Sequence, residues 1–183
     1  MAVAQFSQFW FHLMIILLSI SISYISGAEL NCVYSAYVRT GQFAGAGTDS
    51  KITLTLYDAC GHGIRINNLE AWGGLMGQGY DYFERDSLDM FSGRGPCLNG
   101  PICKMNLTSD GTGSSHGWYC NYVEVTSTAD HKRCSQQLFK MEQWLSASTF
   151  PDGLTATRNN CRRMSDEQQS VYDFESNPVV NVI

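Results

Sequence analysis

Short segments in which apolar and polar residues alternate most constrain the fold of this 183-residue chain. The clearest are 34–40 (YSAYVRT), 52–57 (ITLTLY) and 118–125 (WYCNYVEV). Because the side chains of a strand point alternately to its two faces, this period predicts strands with one buried face. Glycine, asparagine, aspartate and proline separate the segments and predict turns. The pattern therefore predicts an all-β chain, folded as an antiparallel sandwich or barrel.

Three other segments are shorter or less regular, and they are 63–66, 102–107 and 138–145. The last of them (LFKMEQWL) has a spacing that a short helix could also use, but no capping residue precedes it. We expect Trp118 and Trp144, which lie in two of the alternating segments, to be core aromatics.

The acidic stretch YFERDSLDMF, residues 82–91, combines aromatic and charged side chains. We expect Phe83 and Phe91 to point inward, and the charged residues between them, Asp89 included, to stay in solvent.

The first 28 residues have the pattern of a secretory signal peptide. Residues 9–25 are almost all apolar, and small residues follow up to Ala28. An uncleaved membrane anchor is the alternative, because the apolar run is long enough to span a bilayer. We expect residues 29–148 to form one domain, and residues 149–183 to form a polar, partly disordered tail. The chain is then expected in the endoplasmic reticulum lumen or outside the cell.

All seven cysteines follow the predicted cleavage site, as expected of a disulfide-bonded chain in an oxidising compartment. Because their number is odd, at least one is free or bonded to another chain. The proposed bridges are Cys97 to Cys103, which are close in sequence, and Cys134 to Cys161. A weaker alternative is a zinc site, for which the candidate ligands are Cys60, His62, His116 and Cys120.

The net charge of −5 and the lack of a basic run argue against nucleic acid as the main partner. Asn106 begins a glycosylation sequon, which is usable if it lies on an exposed edge. The segment GSSHG, residues 113–117, fits the G-x-S-x-G pattern of hydrolases, and a small lipid or ester hydrolase using Ser115 and His116 is the least favoured hypothesis. A nucleophile elbow needs a strand before the serine and a helix after it, whereas here a polar turn precedes and a strand follows.

The stretch AWGGLMG, residues 71–77, places Trp72, Leu75 and Met76 among glycines. Closely spaced glycines disfavour both a helix and a strand, so this stretch is predicted to be a loop with large apolar side chains. Those side chains either fold back as a small satellite core or face outward to bind something.

Several motifs together resemble the PLAT domain, the lipoxygenase-homology β-sandwich. They are YVRTG (37–41), GTDSKITLTLYD (47–58), YFERDSLDMF (82–91), GWYCNYVEV (117–125) and QWL (143–145). A signal peptide, one such domain and a short tail resemble the plant stress-associated, single-domain PLAT proteins. The resemblance implies a sandwich of about eight strands in two sheets, no enzymatic activity, and binding to membrane lipid or a protein in abiotic-stress responses.

The resemblance also implies a site at one end of the sandwich. Calcium would be held there by carboxylates, with Asp49, Asp81, Glu84 and Asp110 as candidates. The alternative is that these acids only hold turns or pair with bases. Apolar side chains on the neighbouring loops would dip into a membrane, and the candidates are Phe43, Trp72, Leu75 and Met76. A protein-only adaptor that uses Trp72, Leu75 and Met76 as its binding centre remains the alternative.

Overall fold

The computed structural model describes residues 31–130, 132–148, 153–162 and 179–182. The predicted signal peptide lies outside these residues. The described part contains nine strands and one short helix, in the order β1 (Asn31–Thr40), β2 (Ile52–Tyr57), β3 (Gly63–Ile66), α1 (Leu69–Gly73), β4 (Leu88–Pro96), β5 (Lys104–Ser109), β6 (Trp118–Ala129), β7 (Lys132–Leu145), β8 (Thr155–Asn159) and β9 (Val179–Val182). Within the described ranges, no helix is long and apolar enough to cross a membrane.

The strands form two sheets. The four-stranded sheet has the order β4-β1-β6-β7, and all its pairs are antiparallel. The five-stranded sheet has the order β8-β5-β2-β3-β9, in which only the β3–β9 pair is parallel. The predicted all-β sandwich is therefore confirmed, with nine described strands where about eight were expected. The ambiguous segment 138–145 is part of strand β7.

The core lies between the sheets and is built from the inward residues of the alternating segments. On β2, Ile52, Leu54 and Leu56 are fully buried. Trp118 is also fully buried, and its indole N–H donates to Thr40 Oγ1 at 3.0 Å, which satisfies its one polar group. The period-two pattern of the sequence thus predicts the apolar buried side chains of β2, whereas Thr55 on the opposite face is also buried.

The sandwich continues past the boundary predicted at Ser148. Strand β8 pairs with β5 and completes one edge of the five-stranded sheet. Arg158 of β8 then donates from Nε to the Lys140 carbonyl oxygen at 2.8 Å, which ties β8 to β7 of the other sheet. Residues 149–162 therefore include a structural strand, whereas residues 163–178 of the predicted tail lie outside the described part.

Both predicted disulfide pairings are wrong. The structure has bridges Cys32–Cys97 and Cys103–Cys161, with Cα atoms 4.9 and 4.7 Å apart. Cys32 lies opposite Gly95 in the β1–β4 ladder, and this register brings it to Cys97 across 65 residues of sequence. Cys134 is free and exposed. Proximity along the chain was therefore a poor guide, because strand register decides which cysteines meet.

Candidate functional site

Three loops meet at one end of the sandwich, which we call the tip. They are the β1–β2 loop (41–51), the α1–β4 loop (74–87) and the β5–β6 loop (110–117). Thr48 joins all three, because its N–H donates to the Phe83 carbonyl oxygen and its hydroxyl donates to the Ser115 carbonyl oxygen. These bonds hold the loops together through buried polar groups.

The tip carries a cluster of three carboxylates, Asp49, Asp81 and Glu84, which we call the acidic triad. All three residues are exposed, and one carboxylate oxygen from each lies within 4.8 Å of the others. Asp110, the fourth predicted ligand, is not part of the acidic triad. Its Oδ1 instead accepts hydrogen bonds from the backbone N–H groups of Lys51 at 3.1 Å and Thr112 at 3.0 Å. Three of the four predicted calcium ligands are thus brought together, and the fourth holds a turn.

Asp49 is held in place and kept ionised by the β5–β6 loop. Its Oδ2 accepts from the Ser114 hydroxyl at 2.5 Å and from the Ser115 N–H at 3.0 Å. The Ser114 bond first, and then the Ser115 bond, lower the pKa of Asp49 because both stabilise its charged form. A carboxylate that is already held in place and ionised is a suitable ligand for a cation.

Asp81 and Glu84 are positioned by a buried carboxylate that was expected in solvent. Asp89 is fully buried, and its Oδ2 accepts from the Phe83 N–H at 2.7 Å and the Ser87 hydroxyl at 2.8 Å, while Oδ1 accepts from the Tyr80 hydroxyl at 3.0 Å. The prediction that all charges of this stretch stay outside is wrong for Asp89. The signal was present, since alternation puts Asp89 on the same strand face as Phe91.

The same loop contains two residues in an unfavourable backbone conformation. Phe83 has φ 60° and Asp86 has φ 62°, in the left-handed region that side chains other than glycine rarely adopt. Phe83 is nonetheless buried as predicted, stacked on Phe91 with ring centroids 5.4 Å apart. The stacking and the bonds to Asp89 hold the loop in this shape.

The donor set of the acidic triad fits calcium. Calcium takes about six to eight oxygen ligands, and carboxylates can each provide one or two of them. Asp49, Asp81 and Glu84 could hold the ion, with water in the remaining positions. A bound calcium ion would supply positive charge that neutralises the triad.

A row of three aromatic rings, one exposed and two half-buried, lies beside the tip, and we call it the aromatic ridge. Phe43, Tyr119 and Trp144 form it, with ring centroids 4.7 Å apart for Phe43–Tyr119 and 5.5 Å apart for Tyr119–Trp144. Trp144 was expected in the core but is only partly buried, because the fully buried Leu145 takes the inward position next to it. A period-two strand places only one of two adjacent residues inside.

The backbone links the aromatic ridge to the acidic triad. The Tyr119 N–H donates to the Ala46 carbonyl oxygen at 3.0 Å, in the loop that carries Phe43. One residue further on, a Cβ added at Gly47 would lie 3.2 Å from Glu84 Oε2, so glycine permits this close approach. The ridge and the triad are therefore parts of one surface.

The predicted apolar loop is partly a helix and partly core. Asn68 caps α1 by accepting from the Ala71 N–H, and the helix ends at Gly73. Trp72 packs against the core, with its indole over Gly93, where an added Cβ would lie 2.4 Å from Trp72 Cε2. Trp72 thus matches the satellite-core alternative rather than an outward binding residue.

The other members of the predicted binding set are divided. Met76 also packs against the core. Phe43 and Leu75 are exposed, each with 56 % of its surface accessible. Leu75 donates its N–H to the Met90 carbonyl oxygen at the edge of β4, at 2.9 Å. Two of the four predicted contact residues are therefore available to a partner.

The remaining sequence candidates occupy structural positions. Ser115 is exposed in the loop before β6, where its backbone bonds to Asp49, and no strand-to-helix elbow surrounds it in the described residues. Asn106 lies on β5, an inner strand between β2 and β8. The exposed edge that glycosylation of Asn106 was expected to need is therefore missing.

Comparison with known proteins is decisive for the family. The sequence model of the PLAT/LH2 domain matches residues 34–158. The chain belongs to the PLAT/LH2 family. It is 53 % identical over 149 residues to PLAT domain-containing protein 2 of Arabidopsis thaliana, covering 81 % of each chain. It is 55 % identical over 148 residues to PLAT domain-containing protein 1 of the same plant, covering 80 % of this chain and 82 % of the relative.

Solved structures agree on the fold of this PLAT domain. The crystal structure of the Delta413-417:GS LOX matches 77 % of this chain and 19 % of its own, with a TM-score of 0.51 and 20 % identity. The predicted membership of a plant single-domain PLAT group is confirmed. PLAT domains mediate membrane or protein interactions and are generally non-catalytic.

Proposed function

We propose that this PLAT domain docks reversibly on a lipid surface through the aromatic ridge, and that calcium at the acidic triad permits the docking. The observation that supports this most is the placement of Phe43 and the triad on neighbouring, bonded loops. Each apolar side chain moved fully out of water contributes about 1.5–3 kcal/mol. Three partly exposed rings therefore supply a few kcal/mol, which is suited to reversible binding.

The aromatic ridge contains residue types that favour a membrane–water interface. Tyrosine and tryptophan are enriched there, because each has an apolar ring and one polar group that stays hydrated. The acidic triad disfavours docking on a membrane, since three carboxylates on a chain of net charge −5 repel an anionic lipid surface. A bound calcium ion removes this repulsion at the place where it is strongest.

The location that we infer is the secretory pathway, either the endoplasmic reticulum lumen or the extracellular space. The bridges Cys32–Cys97 and Cys103–Cys161 support this, because disulfides persist in oxidising compartments. Sequencing the N-terminus of the protein secreted by plant cells tests the proposal. A mature chain that begins at Glu29 is expected. Retention of residues 1–28 would indicate the uncleaved membrane anchor instead, and a protein recovered only from the cytosol contradicts the location.

Vesicle flotation tests the docking. The protein is mixed with phosphatidylcholine–phosphatidylserine vesicles, with calcium or with a calcium chelator. We expect calcium to increase the floated fraction. We expect Phe43→Ala and Trp144→Ala each to reduce the vesicle partition coefficient, obtained by varying the lipid concentration, by about tenfold, which corresponds to roughly 1.4 kcal/mol of apolar contact. Val33→Ala is the matched control, because Val33 is an exposed apolar residue near the start of β1, away from the tip.

The calcium requirement is tested by a pair of acid-to-amide variants. Asp81→Asn removes a triad ligand and is expected to abolish the response to calcium. Asp110→Asn is the matched control, because Asp110 lies outside the triad and is expected to leave the response intact. Flotation that is absent with and without calcium, in a folded protein, contradicts lipid docking and favours a protein partner for the ridge.

A further inference from the structure

A second cluster of ligating side chains lies at the end of the sandwich opposite the tip. The turn between β2 and β3 carries Asp58, Cys60 and His62, and one ligand atom from each lies within 4.8 Å of the others. The tip loop 41–51 precedes β2 and this turn follows it, so the strand separates the two clusters. The proposed docking uses none of these three residues.

The carboxylate of Asp58 is fixed before any ligand arrives. Asp58 is only 2 % exposed, and its Oδ1 accepts from the N–H groups of Cys60 at 2.9 Å and His62 at 3.0 Å. Its Oδ2 accepts from the Gly100 N–H at 3.2 Å. The Asp58 N–H also donates to the His62 carbonyl oxygen at 3.0 Å, which closes the turn. The turn is thus a rigid platform for the thiol and the imidazole.

The separation of His62 and Asp58 has the length expected of two ligands of one ion. His62 Nδ1 lies 3.5 Å from Asp58 Oδ2. Hydrogen bonds from nitrogen to oxygen are usually about 2.9–3.0 Å long. Two ligand atoms of a tetrahedral zinc ion, each about 2.0–2.1 Å from the metal, are about 3.3–3.4 Å apart. The observed distance is long for a direct bond and close to the distance for a shared ion.

The chemical types of the three ligands determine which metal ions this turn would bind. A thiolate and an imidazole favour zinc and other borderline or soft metals, whereas calcium and magnesium prefer oxygen alone. We propose that Asp58, Cys60 and His62 bind one zinc ion. Solvent completes the coordination, because the His62 side chain is 14 % exposed and Cys60 is only partly buried. A site with three protein ligands and one open position is a common zinc arrangement.

This ligand set differs from the zinc set considered from sequence. His116 is exposed in the tip loop before β6, and Cys120 is buried within β6. His116 and Cys120 therefore lie at the tip end of the sandwich, whereas Cys60 and His62 lie at the other end. Asp58, which no sequence pattern singled out as a ligand, takes their place.

Cobalt substitution tests the site directly. The full chain is purified with its disulfides intact, kept in degassed buffer and titrated with Co²⁺. Saturation at one equivalent is expected, with a thiolate-to-cobalt charge-transfer band and visible d–d bands that added Zn²⁺ removes. Cys60→Ser is expected to lose the charge-transfer band, and His62→Gln to weaken zinc binding by about tenfold or more. Both substitutions leave the carboxylate of Asp58 and its backbone bonds in place.

Two controls separate this site from other thiols and from the docking site. Cys134→Ser removes an exposed free thiol elsewhere and is expected to change neither the bands nor the stoichiometry. Cys60→Ser is expected to float with vesicles as the unchanged protein does. The proposal is overturned if no saturable binding occurs at one equivalent, or if the charge-transfer band survives in Cys60→Ser.

Discussion

Replacing Asp89 tests whether a single buried carboxylate fixes the loop that carries Asp81 and Glu84. Asp89 is fully buried and accepts three hydrogen bonds, two at Oδ2 and one at Oδ1. Asp89→Ala removes all three and leaves the N–H of the buried Phe83 without its acceptor. Asp89→Asn removes the charge but keeps one carbonyl oxygen for that N–H.

Two opposing free-energy contributions set how much the Asp89 substitutions destabilise the protein. A hydrogen bond to a charged group contributes about 1.5–3 kcal/mol, so three contribute about 4.5–9 kcal/mol. Removing Asp89 also removes the cost of burying its charge, which is several kcal/mol. We expect Asp89→Ala to lower the free energy of unfolding by about 3 kcal/mol. Asp89→Asn should lower it by about 1–2 kcal/mol, because the Tyr80 hydroxyl can turn to accept from the new amide.

Urea unfolding with the disulfides intact measures both values. Asp86→Asn is the matched control. Asp86 lies in the same loop as Phe83, pairs with Arg39 of β1 at the surface, and has a side chain that is 50 % exposed. Exposed pairs contribute about 0–1 kcal/mol, so little change is expected. If Asp89→Ala changes stability no more than Asp86→Asn does, the loop is held by something other than the Asp89 carboxylate.

Two further predictions concern packing and disulfides. Gly93→Ala would place a Cβ 2.4 Å from Trp72 Cε2. We expect it to lower the free energy of unfolding by about 1–3 kcal/mol, and Trp72→Ala in the same chain to recover part of that loss in a double-mutant cycle; additive losses would contradict the contact. Replacing both Cys103 and Cys161 by serine opens a loop of 58 residues. This should cost about 4 kcal/mol in urea, and a non-reducing peptide map in which these two cysteines are not linked would refute the pairing.

Local patterns in the sequence predicted six of the nine described strands and much of the tip, but they missed β4, β8 and β9. The alternation in 52–57 and 118–125 predicts strands β2 and β6, because period two is a property of the strand itself. In β6 a register shift after Cys120 moves the buried positions from Trp118 and Cys120 to Val123 and Val125, which alternation alone does not predict. The resemblance to PLAT domains supplied Asp49, Asp81 and Glu84, and the structure brings these three together. The motifs therefore placed the acidic triad, but not every residue within them, since Asp89 is buried and Trp144 is only partly buried.

Contacts between distant segments could not be predicted from local patterns. Trp72 is near glycines in sequence, but its environment is decided by Gly93 on β4, a strand whose register no local pattern contains. Cys97 likewise meets Cys32 through the β1–β4 register rather than the nearer Cys103. Trp144 contributes to the aromatic ridge only because Tyr119 lies opposite it on β6. The errors at Trp72 and Cys97 thus came from a partner supplied by another strand.

The two proposed metal sites should act independently, and this is testable. They lie at opposite ends of β2, whose six residues span about 17 Å at about 3.3 Å per step. At physiological ionic strength, charges separated by more than about 8 Å of solvent are largely screened. The oxygen-only triad and the thiol–imidazole turn also prefer different ions. We therefore expect saturating Zn²⁺ to change calcium affinity, measured by isothermal titration, by less than about twofold, or roughly 0.4 kcal/mol. A tenfold change would instead mean that β2 transmits a structural change from one end of the sandwich to the other, because screened charges at this distance cannot produce it.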